Sequence, residues 1–402
     1  LGLEQMYKQM IQRANLTGAD PVLQHALYKQ IGIIYRDRLK QADNAIQAYQ
    51  IAVQLDPSDE QAQTILRELL ARHGQADSAV AITIERVQRD PFETTPYPAL
   101  FDLLVRQNAR DRALCVASAM RFLAINHPAA IGLLQSYPQP PIDAIVMDLG
   151  PDGYREVLHE ALDPTITEIF TVVGPAVIDI ALSRLALRDR LGHPGPALKG
   201  QDWLVKMVSR AAAVLGAPTP RLYARRSPGP AITFAATKPP SLLVHAQALG
   251  GIAANVLAFI VGKRVVETSP PLLARAMCPS TTELKQLGAS AARIATGQIE
   301  PGDQPLAQRL SRDDVARISA AVHSAMSTSG KLDIARWTQL ADASASRAGL
   351  LLCGDLEAAR GAIALEPQAP GDLTPREKMR ELVVWFLGDA CANLRRRLGV
   401  AR

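Results

Sequence analysis

The spacing of prolines, small residues and aromatic residues between His25 and His127 constrains the fold of this chain more than any other feature. Pro57 and Pro91 lie 34 residues apart. A proline ends a helix because it lacks the backbone N–H donor and clashes with the preceding turn. Each proline therefore marks the end of a helical unit, and a fixed period of this length predicts an array of helical hairpins.

The first unit has large, small and aromatic positions in an order that suits two paired helices. Its first helix is predicted to carry Tyr28, Ile31, Gly32 and Tyr35, and its second helix Ala45, Tyr49 and Ala52. Matching positions recur in a second and a third unit at Leu66, Leu70, Ala79, Tyr97, Leu104 and Ala113. This order resembles the tetratricopeptide repeat. The first unit has one extra residue, which is placed in the turn around Arg38–Gln41.

The resemblance implies a right-handed α-solenoid over residues 1–130, with a concave face made by the first helix of each unit. Leu3–Ile11 resembles the closing helix of a repeat whose first helix would precede Leu1. The residues expected on the concave face are Lys29, Ile33, Arg36, Glu68, Arg72, Asp102 and Arg106. A partly basic groove suits an acidic peptide or carboxylate as partner. The alternative is that these charges only solvate an exposed helix face.

Composition narrows the function classes. The net charge is +5, and the basic residues are scattered apart from Arg395–Arg397, so nucleic acid is not an expected partner. Four cysteines without a CxxC pair favour a reducing, cytoplasmic setting over a disulfide framework. The apolar stretches Ile166–Leu187 and Val244–Gly262 contain polar or charged residues, so both are predicted to be buried helices and not membrane spans.

The rest of the chain is predicted to form a helical connector, residues 131–200, and an α+β domain, residues 201–402. Within the second region, Arg221–Arg225, Ala231–Ala236 and Ser241–His245 alternate or are apolar, and Pro and Gly punctuate them, so they predict a small sheet. A helix is predicted next, over Ile252–Thr268. A final amphipathic helix is predicted over Pro375–Leu398, with Thr374 as its N-terminal cap.

This order of elements resembles the gluzincin metalloproteases of the HtpX type, in which a helix and a strand meander precede a zinc-binding helix. The matching pieces are Pro220–Tyr223, Ile232–Ala235, Ser241–Val244 and Val256–Glu267. A later segment, DIARWTQLADASASRAGLLLCGDLEAA, is similar to the one that carries the family's third zinc ligand. On that register Asp342 takes the place of the ligand and Ser346 that of a supporting aspartate.

The residues at the matching metal positions cannot perform the chemistry of the family. Lys263, Arg264 and Glu267 stand where the resemblance places His, Glu and His. Zinc hydrolysis needs neutral imidazole ligands and a carboxylate base, whereas a charged ammonium or guanidinium is neither. No metal or other cofactor is therefore expected. Instead, Lys263 is expected to pair with Glu267 or Asp342, or Asp342 with Arg264; the alternative is a set of ordinary surface charges.

Two function classes follow. The favoured one is a non-catalytic adaptor, in which the repeat groove binds a protein or peptide and the second region is a degenerate metalloprotease-like domain. The other is an active hydrolase, such as a metal-dependent peptidase, with a site that the sequence does not reveal. Cys278, before Pro279 at the start of a predicted helix, is a weak candidate for a nucleophile because no partner base is identifiable.

Overall fold

The computed structural model describes residues 2–18, 20–187, 196–200, 202–225, 229–278, 280–328, 330–368 and 371–401, without the side chains of 184–187. The chain forms two compact units, Leu1–Ala130 (unit 1) and Ile131–Arg402 (unit 2). The described residues are mainly helical and include one small mixed sheet of three strands, so the predicted fold class is confirmed at this level. Residues 188–195 of the predicted connector lie outside the described residues.

Unit 1 consists of helices that follow one another closely, and each of the first six packs against the next along the chain. A π-helical turn, Ile34–Leu39, extends the second helix. The helices are α1 (Gly2–Thr17), α2 (Pro21–Ile33), α3 (Ala42–Leu55), α4 (Glu60–Arg72), α5 (Ala76–Arg89), α6 (Pro96–Arg106) and α7 (Arg110–Phe122), and α8 (Pro128–Ser136) contains the boundary between the units.

The period seen in the sequence recurs in the backbone of unit 1. Lys40, Gly74 and Asn108 each have a left-handed conformation, with φ of 56°, 75° and 56°, immediately before a second helix. One buried alanine follows each turn at the same distance, where a larger side chain would hold the paired helices apart: Ala45, Ala79 and Ala113, all 0% exposed.

The extra residue of the first unit lies inside the helix and not in the turn. The N–H of Gln41 donates to the carbonyl of Tyr35, six residues earlier, whereas Gln75 donates to Leu70, five residues earlier. The π-helical turn accommodates the added residue by widening one turn of the helix. Its predicted place in the Arg38–Gln41 turn is therefore wrong, and the left-handed turn keeps the geometry of the other units.

Unit 2 surrounds one buried helix, α12, with other helices and with the sheet. Two described helices stand where the sequence predicted one near the C-terminus, because Gly388 adopts an extended conformation between them. The helices are α9 (Pro164–Leu187), α10 (Trp203–Leu215), α11 (Ala246–Leu249), α12 (Ala254–Glu267), α13 (Pro270–Met277), α14 (Thr281–Ala295), α15 (Gln304–Ala307), α16 (Arg312–Thr328), α17 (Ile334–Cys353), α18 (Leu356–Ala364), α19 (Pro375–Leu387) and α20 (Asp389–Arg397).

The sheet of unit 2 has the strand order β1-β3-β2, where β1 is Arg221–Arg225, β2 is Ile232–Ala235 and β3 is Ser241–His245. β1 runs parallel to β3, and β2 runs antiparallel to it. This mixed order contradicts the meander that the metalloprotease resemblance implied. All five residues of β3 are buried, as expected for a central strand covered on both faces, which explains its continuous apolar run.

The close crossing of α12 and α17 brings Lys263 on α12 next to Asp342 on α17. A Cβ atom on Gly349 would lie 2.6 Å from the carbonyl oxygen of Phe259, and one on Gly262 would lie 2.9 Å from the carbonyl oxygen of Ala348. Only glycine therefore allows the two backbones to approach this closely. The contact fixes the relative register of α12 and α17.

One described helical stretch, Pro164–Ser183 in α9, is long and apolar enough to cross a membrane by length and composition alone. Buried helices of globular proteins pass the same test. α9 packs against α13 and α16.

Candidate functional site

A groove on unit 1 contains four of the seven residues that were predicted to bind a partner. It is a cleft of about 300 Å³ between α4 and α6. The α4 wall is formed by Arg67, Glu68, Ala71 and Arg72, and the α6 wall by Ala99, Asp102, Leu103 and Arg106. We call this cleft the α4–α6 groove.

The three predicted residues of the first unit do not line this groove. The ammonium of Lys29 is paired with Asp59, whose other oxygen accepts the N–H of Ala62 and so caps α4. Arg36 lies in the π-helical turn, is half-buried, and pairs with Asp37 at 2.7 Å. Ile33 is also half-buried. Two of the three predicted side chains thus form ion pairs within unit 1.

The inserted residue changes which side chain corresponds to the groove arginines. Arg72 and Arg106 follow the hydrogen-bonded carbonyls of Leu70 and Leu104 by two positions. In the first unit the accepting carbonyl belongs to Tyr35 and the added residue follows it, so the residue two positions before the left-handed Lys40 is Arg38 and not Arg36, just as Arg72 and Arg106 precede Gly74 and Asn108. Counting from the start of the repeat missed this shift.

The α4–α6 groove is mixed in charge with an excess of guanidinium groups. Its carboxylates have weak partners: Glu68 lies 3.9 Å from Arg72, and Asp102 lies 4.0 Å from His127. Arg72 and Arg106 are exposed at equivalent places on neighbouring helices. Guanidinium groups can bind carboxylates through two parallel hydrogen bonds, so this surface is suited to acidic side chains.

The second candidate site is an ion-pair cluster in unit 2 at the predicted metal positions. Lys263 is 2% exposed, and its Nζ lies 2.8 Å from Asp342 Oδ1 and 2.8 Å from the Glu366 carboxylate. Arg264 pairs with Glu267, one turn later on α12, and donates through Nε to the carbonyl of Ile232 at 3.1 Å. The predicted Lys263–Asp342 pair is present, whereas Glu267 pairs with Arg264.

Two members of the ion-pair cluster were missed in the sequence. Lys378 Nζ lies 2.9 Å from Asp342 Oδ2 and 3.3 Å from Glu366. A signal for Lys378 was present, because it lies four residues before the buried Leu382 on the apolar face of α19. Glu366 follows the last turn of α18 and has no such pattern, so only the fold brings it to Lys263.

The charges of the ion-pair cluster add up to zero, and the opposite charges keep its buried groups in their charged forms. Three cations, Lys263, Arg264 and Lys378, face three carboxylates, Glu267, Asp342 and Glu366. Burial alone opposes the charged forms, but the opposite charges dominate: they raise the pKa of Lys263 and lower the pKa of Asp342 and Glu366. An ammonium whose pKa is raised in this way is neither a nucleophile nor a metal ligand near neutral pH.

The surroundings of other residues that could take part in catalysis do not favour such a role. Among the described residues, no three His, Cys, Asp or Glu side chains are grouped as metal ligands. Burial raises the pKa of Cys278 to about 11, which disfavours the nucleophilic thiolate. His245 is buried on β3 and lies 3.2 Å from the Thr233 hydroxyl.

A second charged group links α17 and α19. Arg347 on α17 is 4% exposed and pairs with Glu381 on α19 and with Glu160. The Nδ1 atom of His159 accepts the N–H of Ala161 at 3.0 Å, and its Nε2 atom lies 3.3 Å from the Glu381 carboxylate. Burial would raise the pKa of Glu381, but the hydrogen bond from His159 and the charge of Arg347 lower it to about 2.

This shift predicts a pH dependence of unit 2. A glutamate has a pKa of about 4.3 in an unfolded chain. Because its folded pKa is lower, Glu381 stabilises the fold fully above the unfolded pKa, and this contribution is lost as the pH falls toward 2. We expect the urea midpoint, followed by tryptophan fluorescence, to fall below pH 5, and Glu381→Gln to flatten that fall. The exposed Glu300→Gln is the control; an unchanged slope in Glu381→Gln would contradict the assignment.

Comparisons of the chain with protein-family models, with curated proteins and with solved structures find no match. The α4–α6 groove and the ion-pair cluster are therefore the basis on which function is inferred.

Proposed function

We propose that the chain is a non-catalytic adaptor that binds a protein or peptide partner through a tetratricopeptide-type solenoid in unit 1. The observation that carries the proposal is the α4–α6 groove, where Arg72 and Arg106 are exposed on neighbouring helices at equivalent positions. Repeat proteins bind partners on extended surfaces of this kind, built from equivalent positions of successive units. The excess of guanidinium groups favours an acidic segment.

Unit 2, in this proposal, is a degenerate gluzincin-like domain without hydrolytic activity. The charge-balanced cluster of Lys263, Asp342 and their partners supports this, because Lys263 stands at one of the two imidazole positions of the resemblance and Arg264 at the position of its carboxylate base. A buried ion-pair network of this kind fixes one arrangement of α12, α17 and α19. The domain then contributes a rigid frame to the adaptor.

Reversing two groove charges tests the binding proposal. We expect Arg72→Glu with Arg106→Glu to weaken binding of a fluorescein-labelled decaglutamate peptide by about 30-fold, since two exposed ion pairs of up to about 1 kcal/mol each are lost. Fluorescence anisotropy on the full chain measures this. Because these charges are exposed, 0.5 M NaCl should also weaken binding to the unmodified chain.

The matched control is Arg13→Glu, which reverses an exposed charge on α1, outside the groove. It should leave the affinity within about twofold, the range of long-range charge effects at physiological salt. Equal affinities for the double variant and the unmodified chain would rule out the α4–α6 groove as the binding surface.

A further inference from the structure

Unit 1 has a second concave surface, between α1, α2 and α3. It is a cleft of about 340 Å³, which we call the first-repeat cleft. Its floor is apolar and is formed by side chains from all three helices, namely Ile11, Tyr28, Ile31, Ala48 and Ile51. A concave apolar floor of this size is typical of a site for one large side chain of a ligand.

Four exposed carboxamides border this floor. Gln12 and Asn15 lie three residues apart on α1, and Asn44 and Gln47 lie three residues apart on α3. Asn44 donates one N–H to Gln41 at 2.8 Å, and Asn15 donates one to the Tyr28 hydroxyl at 3.4 Å. A carboxamide has two donors and a carbonyl acceptor, so the border still offers hydrogen bonds of both kinds from two helices. Lys8 stands at one end, paired with Glu4 at 2.7 Å.

The next repeat has a hollow of similar size with different chemistry. This sister cleft, of about 310 Å³, is lined by α3, α4 and α5. Glu85 takes the place of Ile51, 34 residues earlier, and Arg86 donates to Gln63 and Glu60 at 3.0 Å. The charged groups of the sister cleft are thus paired with neighbouring side chains, since Arg89 also pairs with Glu85 at 3.1 Å. The lining of the first-repeat cleft contains one charged residue, Lys8, whereas that of the sister cleft contains three, Glu85, Arg86 and Arg89.

We propose that the first-repeat cleft binds an extended peptide segment of a protein partner, with one aliphatic side chain on the floor. The carboxamides decide between conformations of the partner. An extended backbone has free N–H and C=O groups along both edges and needs partners for them when water is excluded. A helix has already used these groups internally, so it would leave the border carboxamides without bonds. The proposal concerns other helices than the α4–α6 groove and does not depend on it.

The test uses the neutral tripeptide acetyl-Ala-Leu-Ala-amide and saturation-transfer NMR with the full chain. We expect the leucine methyl signals to be saturated by the unmodified chain. Ile51→Glu should weaken binding at least about tenfold, because it places a carboxylate on the floor against the leucine side chain. The chain itself has glutamate at this position of the next repeat, so the substitution suits the fold.

Two controls separate this cleft from other surfaces. Glu85→Gln alters the sister cleft and should leave the titration unchanged, and so should Arg72→Glu with Arg106→Glu in the α4–α6 groove. A tripeptide with an N-methyl group after leucine should bind several-fold more weakly because it lacks one backbone donor. Equal leucine saturation in Ile51→Glu and the unmodified chain, or no saturation at millimolar peptide, would overturn the proposal.

Discussion

Replacing Asp342 by asparagine is expected to lower the free energy of unfolding of unit 2 by about 3 kcal/mol. The asparagine keeps the shape but removes the charge that faces Lys263 at 2.8 Å and Lys378 at 2.9 Å. Two buried ammonium groups would then share Glu366. Removing one partner from a buried ion pair is costly because the other charge stays desolvated without compensation.

The three tryptophans make this measurement specific. Trp203, Trp337 and Trp385 all lie in unit 2, and they are the only tryptophans of the chain. Their fluorescence during urea unfolding therefore reports on unit 2 alone. Asp313→Asn, on the exposed first turn of α16, changes the same residue type in the same unit. It should alter stability by no more than about 0.5 kcal/mol.

A double variant separates the loss of charge balance from the loss of packing. Lys263→Met with Asp342→Leu removes one cation and one anion, and leaves the Lys378–Glu366 and Arg264–Glu267 pairs in place. We expect it to recover most of the stability lost in Asp342→Asn, because well-packed apolar residues often replace a buried pair at little cost.

The outcome that would contradict the first prediction concerns the single variant. A loss of stability below about 1 kcal/mol in Asp342→Asn would show that water reaches the cluster.

The second large effect is expected from rebuilding a metal site. In Lys263→His with Arg264→Glu and Glu267→His, two imidazoles one helical turn apart would face Asp342, a set of ligands that suits zinc. In the variant, the introduced carboxylate, Asp342 and Glu366 give a charge of −3 and Lys378 gives +1, against +3 and −3 in the natural cluster. The net −2 is balanced by one Zn²⁺. We expect one zinc per chain, bound with a dissociation constant below about 1 μM, or about −8 kcal/mol.

Elemental analysis and a competitive zinc indicator measure this affinity. Adding Asp342→Ala to the triple variant removes the third ligand and should weaken zinc binding at least about tenfold. The unmodified chain should bind no stoichiometric zinc at this site. A triple variant with native tryptophan fluorescence that binds no zinc would show that the likeness to the metalloprotease frame does not extend to the geometry of its metal site.

Features with a strong local cause could be predicted from the sequence. The strands Arg221–Arg225 and Ser241–His245 were predicted at their observed bounds because prolines and glycines flank short runs that alternate or are apolar. The Thr374 cap was found because Glu377 completes a capping box. In both cases the residues that determine the structure are neighbours in the chain.

The missed features depend on residues far apart or on the conformation of one residue. Glu366 reaches Lys263 across 103 positions, and no periodic pattern links them. The break at Gly388 was hidden because the apolar pattern continues through it from Phe386 to Leu394. The parallel pairing of β1 with β3 joins two strands that are not consecutive in the chain, so the pattern of the individual strands does not reveal it.

The π-helical turn Ile34–Leu39 shows how a helix of unit 1 can take up an added residue without disturbing the turn that follows it. An added residue in a loop would move the next helix, but here the turn at Lys40 keeps the geometry of Gly74 and Asn108. One residue in an α-helix corresponds to about 100° of rotation. Arg38, Arg72 and Arg106 each lie two residues before the left-handed residue of their turn, so the insertion inside the helix leaves the arginine at this position and the start of the next helix in place.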